Sequence, residues 1–354
     1  MPTNALNLLA DATAARLRAW LLGGAVQHSS GEHAGGIYGA FGDDGAARYV
    51  YPEITGYYLH WLADIGSPHD SDHHVVARRA QAAADWATRA LADGKVPATR
   101  AYLGAQAEAD WRNRAVFFFD LAMLLRGLCA AYEADLIAYP QAAITRLIEE
   151  LTRFVDADGR IQAARSELAD AALPPRWSTL GGPFEVKASS RVLLATRHQA
   201  LPAVLEQACL ALARSYRDTA ATLPLQMLHP TLYFAEGMLV GEPDCAPQIA
   251  TLARRCLALA DAAGNLPEAE DSTVPRSDII AQLLRVLLLT GSLDAQADTL
   301  VSALAARVDA QGRLPFRVDI AAPQANVWCA MFAEQALRWY AGRGHSLPAA
   351  EWLV

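Results

Sequence analysis

The chain lacks the cysteine spacing of a stapled or metal-bound fold. Its five cysteines, Cys129, Cys209, Cys245, Cys256 and Cys329, are scattered, and none forms a CxxC pair. That excludes a disulfide framework and a zinc site built from sulfur ligands. Positive charge is also short, with 30 Lys and Arg against 38 Asp and Glu and a net charge of -8. No basic stripe is present to neutralise phosphates, so nucleic acid is not an expected partner. Long hydrophobic runs are missing too: the most apolar stretch, 283–289, carries Arg285 and is far too short to span a bilayer. Residues 1–20 show no basic region followed by an apolar core, so no signal peptide and a cytoplasmic location are expected. Neither a Pro/Gly/Ser-rich linker nor strand-like alternation breaks up the 354 residues. What remains is 53% apolar and 19% charged, the composition of a globular protein with a large interior.

What is present is helical periodicity punctuated by a recurring junction. Asp261-Ala262-Ala263-Gly264-Asn265-Leu266-Pro267 returns as Asp309-Ala310-Gln311-Gly312-Arg313-Leu314-Pro315, and without the proline as Asp156-Ala157-Asp158-Gly159-Arg160-Ile161. Asp93-Gly94-Lys95-Val96-Pro97 is a shorter copy. The pattern reads as a helix ending in a left-handed glycine, then an extended apolar residue and a blocking proline. Each junction separates two predicted helices. The first members cover residues 5–22, 72–92, 142–155, 203–220, 246–262 and 295–308. The second members cover 52–65, 112–133, 185–196, 230–240, 277–290 and 325–341, and they are the more apolar set. The expected architecture is all-α, a single domain over 1–354 in which six helical hairpins close into an (α/α)6 toroid, second helices innermost. Loops 24–50 and 159–184 are too long to be mere connections.

His229, Tyr233 and Glu236 share one face of the predicted fourth inner helix, with Pro230 in its first turn. Setting the other inner helices in register gives a polar layer of Glu53, Asn113, Lys187, His229, Asp278 and Asn326. Four residues on lie Tyr57, Phe117, Arg191, Tyr233, Gln282 and Ala330, and beyond them His60, Asp120, Leu194, Glu236, Arg285 and Ala333. Helix capping is the plain alternative for Asp278 and Asn326. The layer suits general acid/base work, with Glu53, His229 and Asp278 as catalytic candidates. Arg112, Arg114, Lys187, Arg191 and Arg276 lie near inner-helix starts and point to an anionic ligand, unless they pair with Glu108, Asp110, Glu185 and Asp278. Tyr38, Phe41, Tyr51, Tyr102, Trp111, Trp177, Phe184 and Trp328 are candidates for stacking on sugar rings.

This arrangement of hairpins resembles the six-hairpin glycosidase superfamily and its relatives among sugar epimerases and polysaccharide lyases. The resemblance covers nearly the whole chain and is architectural. It implies a carbohydrate site in the mouth of the ring, lined by inner-helix ends and the loops leading into them. The helix register and entry segments make Tyr57, Asn113, Tyr233, Glu236, Gln282, Asn326 and Trp328 candidate substrate contacts beside the cationic residues. A glycoside hydrolase acting on a small or oligomeric, acidic sugar is the first expectation, and an epimerase or lyase the second. A non-catalytic scaffold is a third. Glu268-Ala269-Glu270-Asp271 faintly resembles the aspartate motif of terpene cyclases, a fourth. No cofactor is expected: Gly35-Gly36-Ile37-Tyr38-Gly39 follows no predicted strand, and His69-Asp70-Ser71-Asp72-His73-His74 reads as a solvated connection rather than a metal site.

Overall fold

The structure, a computed structural model, describes residues 2–42, 44–67, 69, 71–103, 110–168, 171–321, 323–344 and 347–354, with side chains from residue 5 onward. In chain order the elements are α1 (Pro2–Leu22), β1 (Tyr49–Val50), α2 (Pro52–Ile65), α3 (His73–Ala90), β2 (Ala101–Tyr102), β3 (Ala115–Phe117) and α4 (Phe118–Glu133). There follow α5 (Gln141–Thr152), β4 (Ala164–Ser166), α6 (Trp177–Leu180), α7 (Glu185–Leu194), α8 (Ala203–Ser215) and α9 (Leu228–Gly241). The last are α10 (Ala246–Leu257), α11 (Ser277–Leu289), α12 (Ala297–Arg307) and α13 (Val327–Ala341). Among the described residues the fold is all-α apart from two small antiparallel sheets, β1 with β2 and β3 with β4, and isolated antiparallel bridges.

Two compact units share these elements. One comprises Ala25–Gly39 and Ala47–Arg214, the other Met1–Gly24, Ala40–Ala46 and Ser215–Val354. In the first unit α4 is buried from Phe118 to Ala131, and it packs against α2 on one side and α7 on the other. Two glycines set the α2–α4 crossing. A Cβ on Gly56 would stand 2.4 Å from the Met123 carbonyl, and one on Gly127 would stand 2.3 Å from the Gly56 oxygen. Glycine weakens a helix interior, so its presence on both faces is explained by this backbone approach.

In the second unit α11 lies against α9 and α13, and α1 against α13 and α12. Its base is closed by a buried ion pair, Arg285 Nη2 to Glu236 Oε1 at 2.5 Å. Arg285 Nη1 also donates to Gln335 Oε1 and to the Val354 carbonyl, each at 2.9 Å. The Arg285 guanidinium also lies 4.2 Å from the Phe332 ring centre. Glu236 is thus fully buried and ion-paired.

Two sequence expectations need correction. The second inner helix starts at Phe118, not at residue 112. Asp110 accepts from the Arg112 backbone N–H at 3.1 Å and closes a single turn at 111–113. Ala115–Phe117 then runs extended to pair with Ala164–Ser166. A β-branched and aromatic run with a partner strand favours extension over a helix start. The shift takes Asn113 out of the inner layer and brings Asp120 into the first turn.

The junction glycines are not helix caps either. Helices α5, α10 and α12 have ended before each one, and the aspartate organises a tight turn. Asp261 Oδ1 accepts from the N–H groups of Ala263 and Asn265, both at 2.9 Å. Asp156 and Asp309 repeat this with Asp158 and Arg160, and with Gln311 and Arg313, all at 2.9 Å. Gly159, Gly264 and Gly312 follow with φ of 76, 81 and 79°, which an L-residue resists. At Gly312 a Cβ would also meet the Arg16 carbonyl oxygen at 2.1 Å. Gly312→Ala is therefore expected to lower the thermal midpoint clearly more than Asp309→Ala, whose released N–H groups are exposed enough to find water. Parallel melts of the two variants check the order.

Candidate functional site

In the first unit, three carboxylates gather where α2, α4 and α7 begin. Pro52 opens α2 after an extended Tyr51, and this puts Glu53 in the first turn, 8% exposed. The Tyr51 phenol donates to the Glu53 carboxylate. Asp120 on α4 is 4% exposed and bonded to the Thr99 hydroxyl, while its Oδ2 is buried with no hydrogen-bond partner among the described residues. Glu185 opens α7 at 2% exposure, and neither of its oxygens has such a partner. Packing of Phe119 on Phe184, with ring centres 6.0 Å apart, ties the starts of α4 and α7 together.

Burial first, and then the charge of Glu53, raises the Asp120 carboxyl well above the usual carboxylate range; Thr99 and Arg100 oppose the shift without cancelling it. Burial likewise raises Glu185, reinforced by Asp120 and then Glu53. The shared cause is that adjacent buried acids disfavour one another's ionised forms. Among the described residues no group of three His, Cys, Asp or Glu is arranged to hold a metal ion, so these carboxylates are not a metal cage. Asp70, in the segment 69–74, and Glu108, an ion-pair candidate for the arginines, lie outside the described residues.

The second unit brings His229, Asp278, Arg276, Gln282 and Tyr233 together. The Leu228 N–H donates to the Glu268 carbonyl at 2.8 Å, so the junction before α11 fixes where α9 begins. His229 follows in that first turn, with Nδ1 2.9 Å from Asp278 Oδ2 and 2.9 Å from Gln282 Oε1. Two acceptors facing Nδ1 make that nitrogen the donor of the ring. Arg276 clamps Asp278 from the other side, Nε to Oδ1 at 3.1 Å and Nη2 to Oδ2 at 2.5 Å. Burial would raise the Asp278 carboxyl, but the charge of Arg276 and then that of His229 override it and hold it well below the usual range. Asp278 is thus an ionised anchor for His229, unsuited to proton donation. Tyr233 lies against His229 with ring centres 4.3 Å apart.

The remaining predicted contacts divide between packing and rim. The Lys187 ammonium sits 4.8 Å from the Tyr57 ring centre, and both residues are buried. Asn326 is a helix cap, accepting from the Cys329 N–H at 2.9 Å. Trp328 packs on Phe316, which carries the Arg276 guanidinium 4.3 Å from its ring centre. Arg112 pairs with Asp110 at 3.2 Å, Asn113 is exposed and Arg114 half-buried. The 159–184 loop and β4 line a cavity of about 530 Å³ that includes Arg165, Leu168, Leu173 and Leu180 and none of the predicted site residues.

No family model matches the chain, and no curated protein matches its sequence. Solved structures do match. A cellobiose 2-epimerase from Spirochaeta thermophila DSM 6192 aligns over 96% of this chain and 97% of its own, with a TM-score of 0.70 and 16% identity. The chain has the (α/α)6 toroid fold. A D-mannose isomerase aligns over 96% and 98% of the two chains, with a TM-score of 0.70 and 12% identity. An unsaturated glucuronyl hydrolase specific for heparin aligns over 95% and 97%, with a TM-score of 0.64 and 11% identity. At these identities the likeness establishes the fold alone. No described helix is long and apolar enough to cross a membrane.

The sequence singles out Glu53, His229 and Asp278 but not the acids beside Glu53. With α4 starting at Phe118, Asp120 lies in its first turn rather than two turns deep. Glu185, an ion-pair candidate in the sequence, has no hydrogen-bond partner for either oxygen among the described residues. The sequence signal for Asp120 is the β-branched and aromatic run Val116-Phe117-Phe118-Phe119 ahead of it; nothing in the sequence marks Glu185.

Proposed function

We propose that the chain is a carbohydrate-active enzyme that cleaves a glycosidic bond by general acid/base catalysis. The observation that carries this reading is the buried Glu53–Asp120 pair, in which burial pushes the Asp120 carboxyl well above the usual carboxylate range. Two carboxyl groups in different protonation states are what glycoside hydrolysis requires. Asp120 donates its proton to the leaving glycosidic oxygen. Glu53, oriented by the Tyr51 phenol, takes the complementary part as base or nucleophile. A scaffold would have no use for a buried carboxyl such as Glu185, neither of whose oxygens has a hydrogen-bond partner among the described residues, because it costs stability.

The sugar in this reading is neutral, a revision of the expected acidic one. Arg112 and Arg276 are committed to Asp110 and Asp278, and the cluster itself repels anions. Type II terpene cyclases share the fold at a TM-score of 0.62, but three gathered carboxylates are poor walls for a hydrocarbon.

A second reading rests on the orientation of His229. With Nδ1 held by Asp278, its Nε2 suits proton abstraction next to a carbonyl, the chemistry of sugar epimerisation or isomerisation. Proton NMR in D2O of neutral disaccharides and reducing sugars separates the two. Hydrolysis gives new reducing ends, is abolished in Asp120→Asn and survives His229→Ala. Solvent deuterium entering a reducing sugar without cleavage, and lost only in His229→Ala, would replace the first reading with the second.

A further inference from the structure

Glu185 has no part in the acid/base pair, yet it is the least satisfied carboxyl of the three. Both of its oxygens and Asp120 Oδ2 are buried without hydrogen-bond partners among the described residues. The ionisable groups facing it are Asp120 from α4, Glu53 from α2 and the Cys209 thiol from α8. A buried acceptor left unmade is expensive, whether the carboxyl is ionised or neutral. An anion would meet three acids there, and no metal-holding arrangement exists among the described residues. The missing partners are therefore neutral donors. Two hydroxyls on adjacent ring carbons present two O–H groups at a spacing that matches the two oxygens of one carboxylate.

We propose that Glu185, beside Asp120, forms a subsite for the vicinal diol of an uncharged sugar, with two hydroxyls donating to the two oxygens of Glu185. Glu185 is then the residue that selects neutral over acidic sugars. The inference builds on the sugar-directed function proposed above, but it needs binding only, not turnover.

A charge-assisted pair of this kind also moves a proton. Burial and the neighbouring acids hold Glu185 protonated in the free protein, and hydroxyl donors stabilise its ionised form. Binding of a neutral sugar must therefore release a proton and strengthen as pH rises toward neutrality.

The test is calorimetric titration of the full chain with cellobiose, mannose and glucuronic acid, in two buffers of different ionisation enthalpy. Cellobiose or mannose is expected to bind with net proton release, and glucuronic acid at least about tenfold more weakly. Glu185→Gln should lose about tenfold in neutral-sugar affinity together with most of the proton release. Unchanged affinity and proton release in Glu185→Gln, tighter binding of glucuronic acid, or no binding of any of the three sugars would each overturn the subsite. Should Glu185→Gln fold poorly, the sugar preference and proton release of the unaltered protein still decide. Neutral-sugar binding lost in Glu185→Gln, in a protein that cleaves no glycoside, would keep the subsite and remove the hydrolase. Cleavage lost in Asp120→Asn while Glu185→Gln binds normally would do the reverse.

Discussion

Asp120→Asn is expected to reduce glycoside cleavage by about a hundred- to ten-thousandfold while leaving the protein at least as stable near neutral pH. The loss follows from removing the proton that Asp120 would deliver to the leaving oxygen. The stability follows from linkage. The folded-state pKa of Asp120 is raised above its unfolded value, so its contribution is fully present below the unfolded pKa and is lost as pH rises through the folded one. Asparagine cannot ionise and escapes that loss. The measurements are turnover and a thermal melt on the same preparation. An inactive variant that also melts early would point to a structural role for Asp120.

Gly127→Val should be the most damaging single change in the first unit. The added Cβ would overlap the Gly56 backbone oxygen at 2.3 Å, and no side-chain rotamer relieves a contact between Cβ and backbone. Overpacking of this kind costs about 1–3 kcal/mol in a core that can adjust, and more where two helix backbones must separate. Function should suffer as well. Gly56 lies three residues after Glu53, and it meets Met123 and Leu124 just after Asp120. The glycine crossing therefore sets the two carboxylates side by side. Gly127→Ala, at smaller cost, should reduce turnover without unfolding the chain, and chemical denaturation beside an activity assay separates the two effects.

The helices were legible because their apolar periodicity and junction prolines are local signals. The inner helices α2, α11 and α13 begin within two residues of where the sequence puts them, and α7 begins at Glu185 as expected. Helix α4 was misplaced because Ala115–Phe117 takes its conformation from Ala164–Ser166, some fifty residues away, and periodicity cannot register a partner strand. The junction repeat was found, but its physics was misread. A side chain, Asp156, Asp261 or Asp309, organises the turn, and the glycine serves it. Site residues followed the same division. Glu53 and His229 announce themselves as polar residues opening apolar helices. Glu185 becomes informative only when its oxygens are seen to lack partners, a property of the fold and not of the residue.

Burial on α4 and α7 pushes the Asp120 and Glu185 carboxyls well above the usual carboxylate range. Carbon-13 NMR titration of Asp- and Glu-labelled protein reads this directly, with Asp120→Asn and Glu185→Gln assigning the resonances. The prediction is that the Asp120 and Glu185 carboxyls titrate above the usual carboxylate range, while the Asp278 carboxyl stays ionised to well below it. Asp120 and Glu185 titrating in the ordinary range of about 3.5–4.5 would contradict the account.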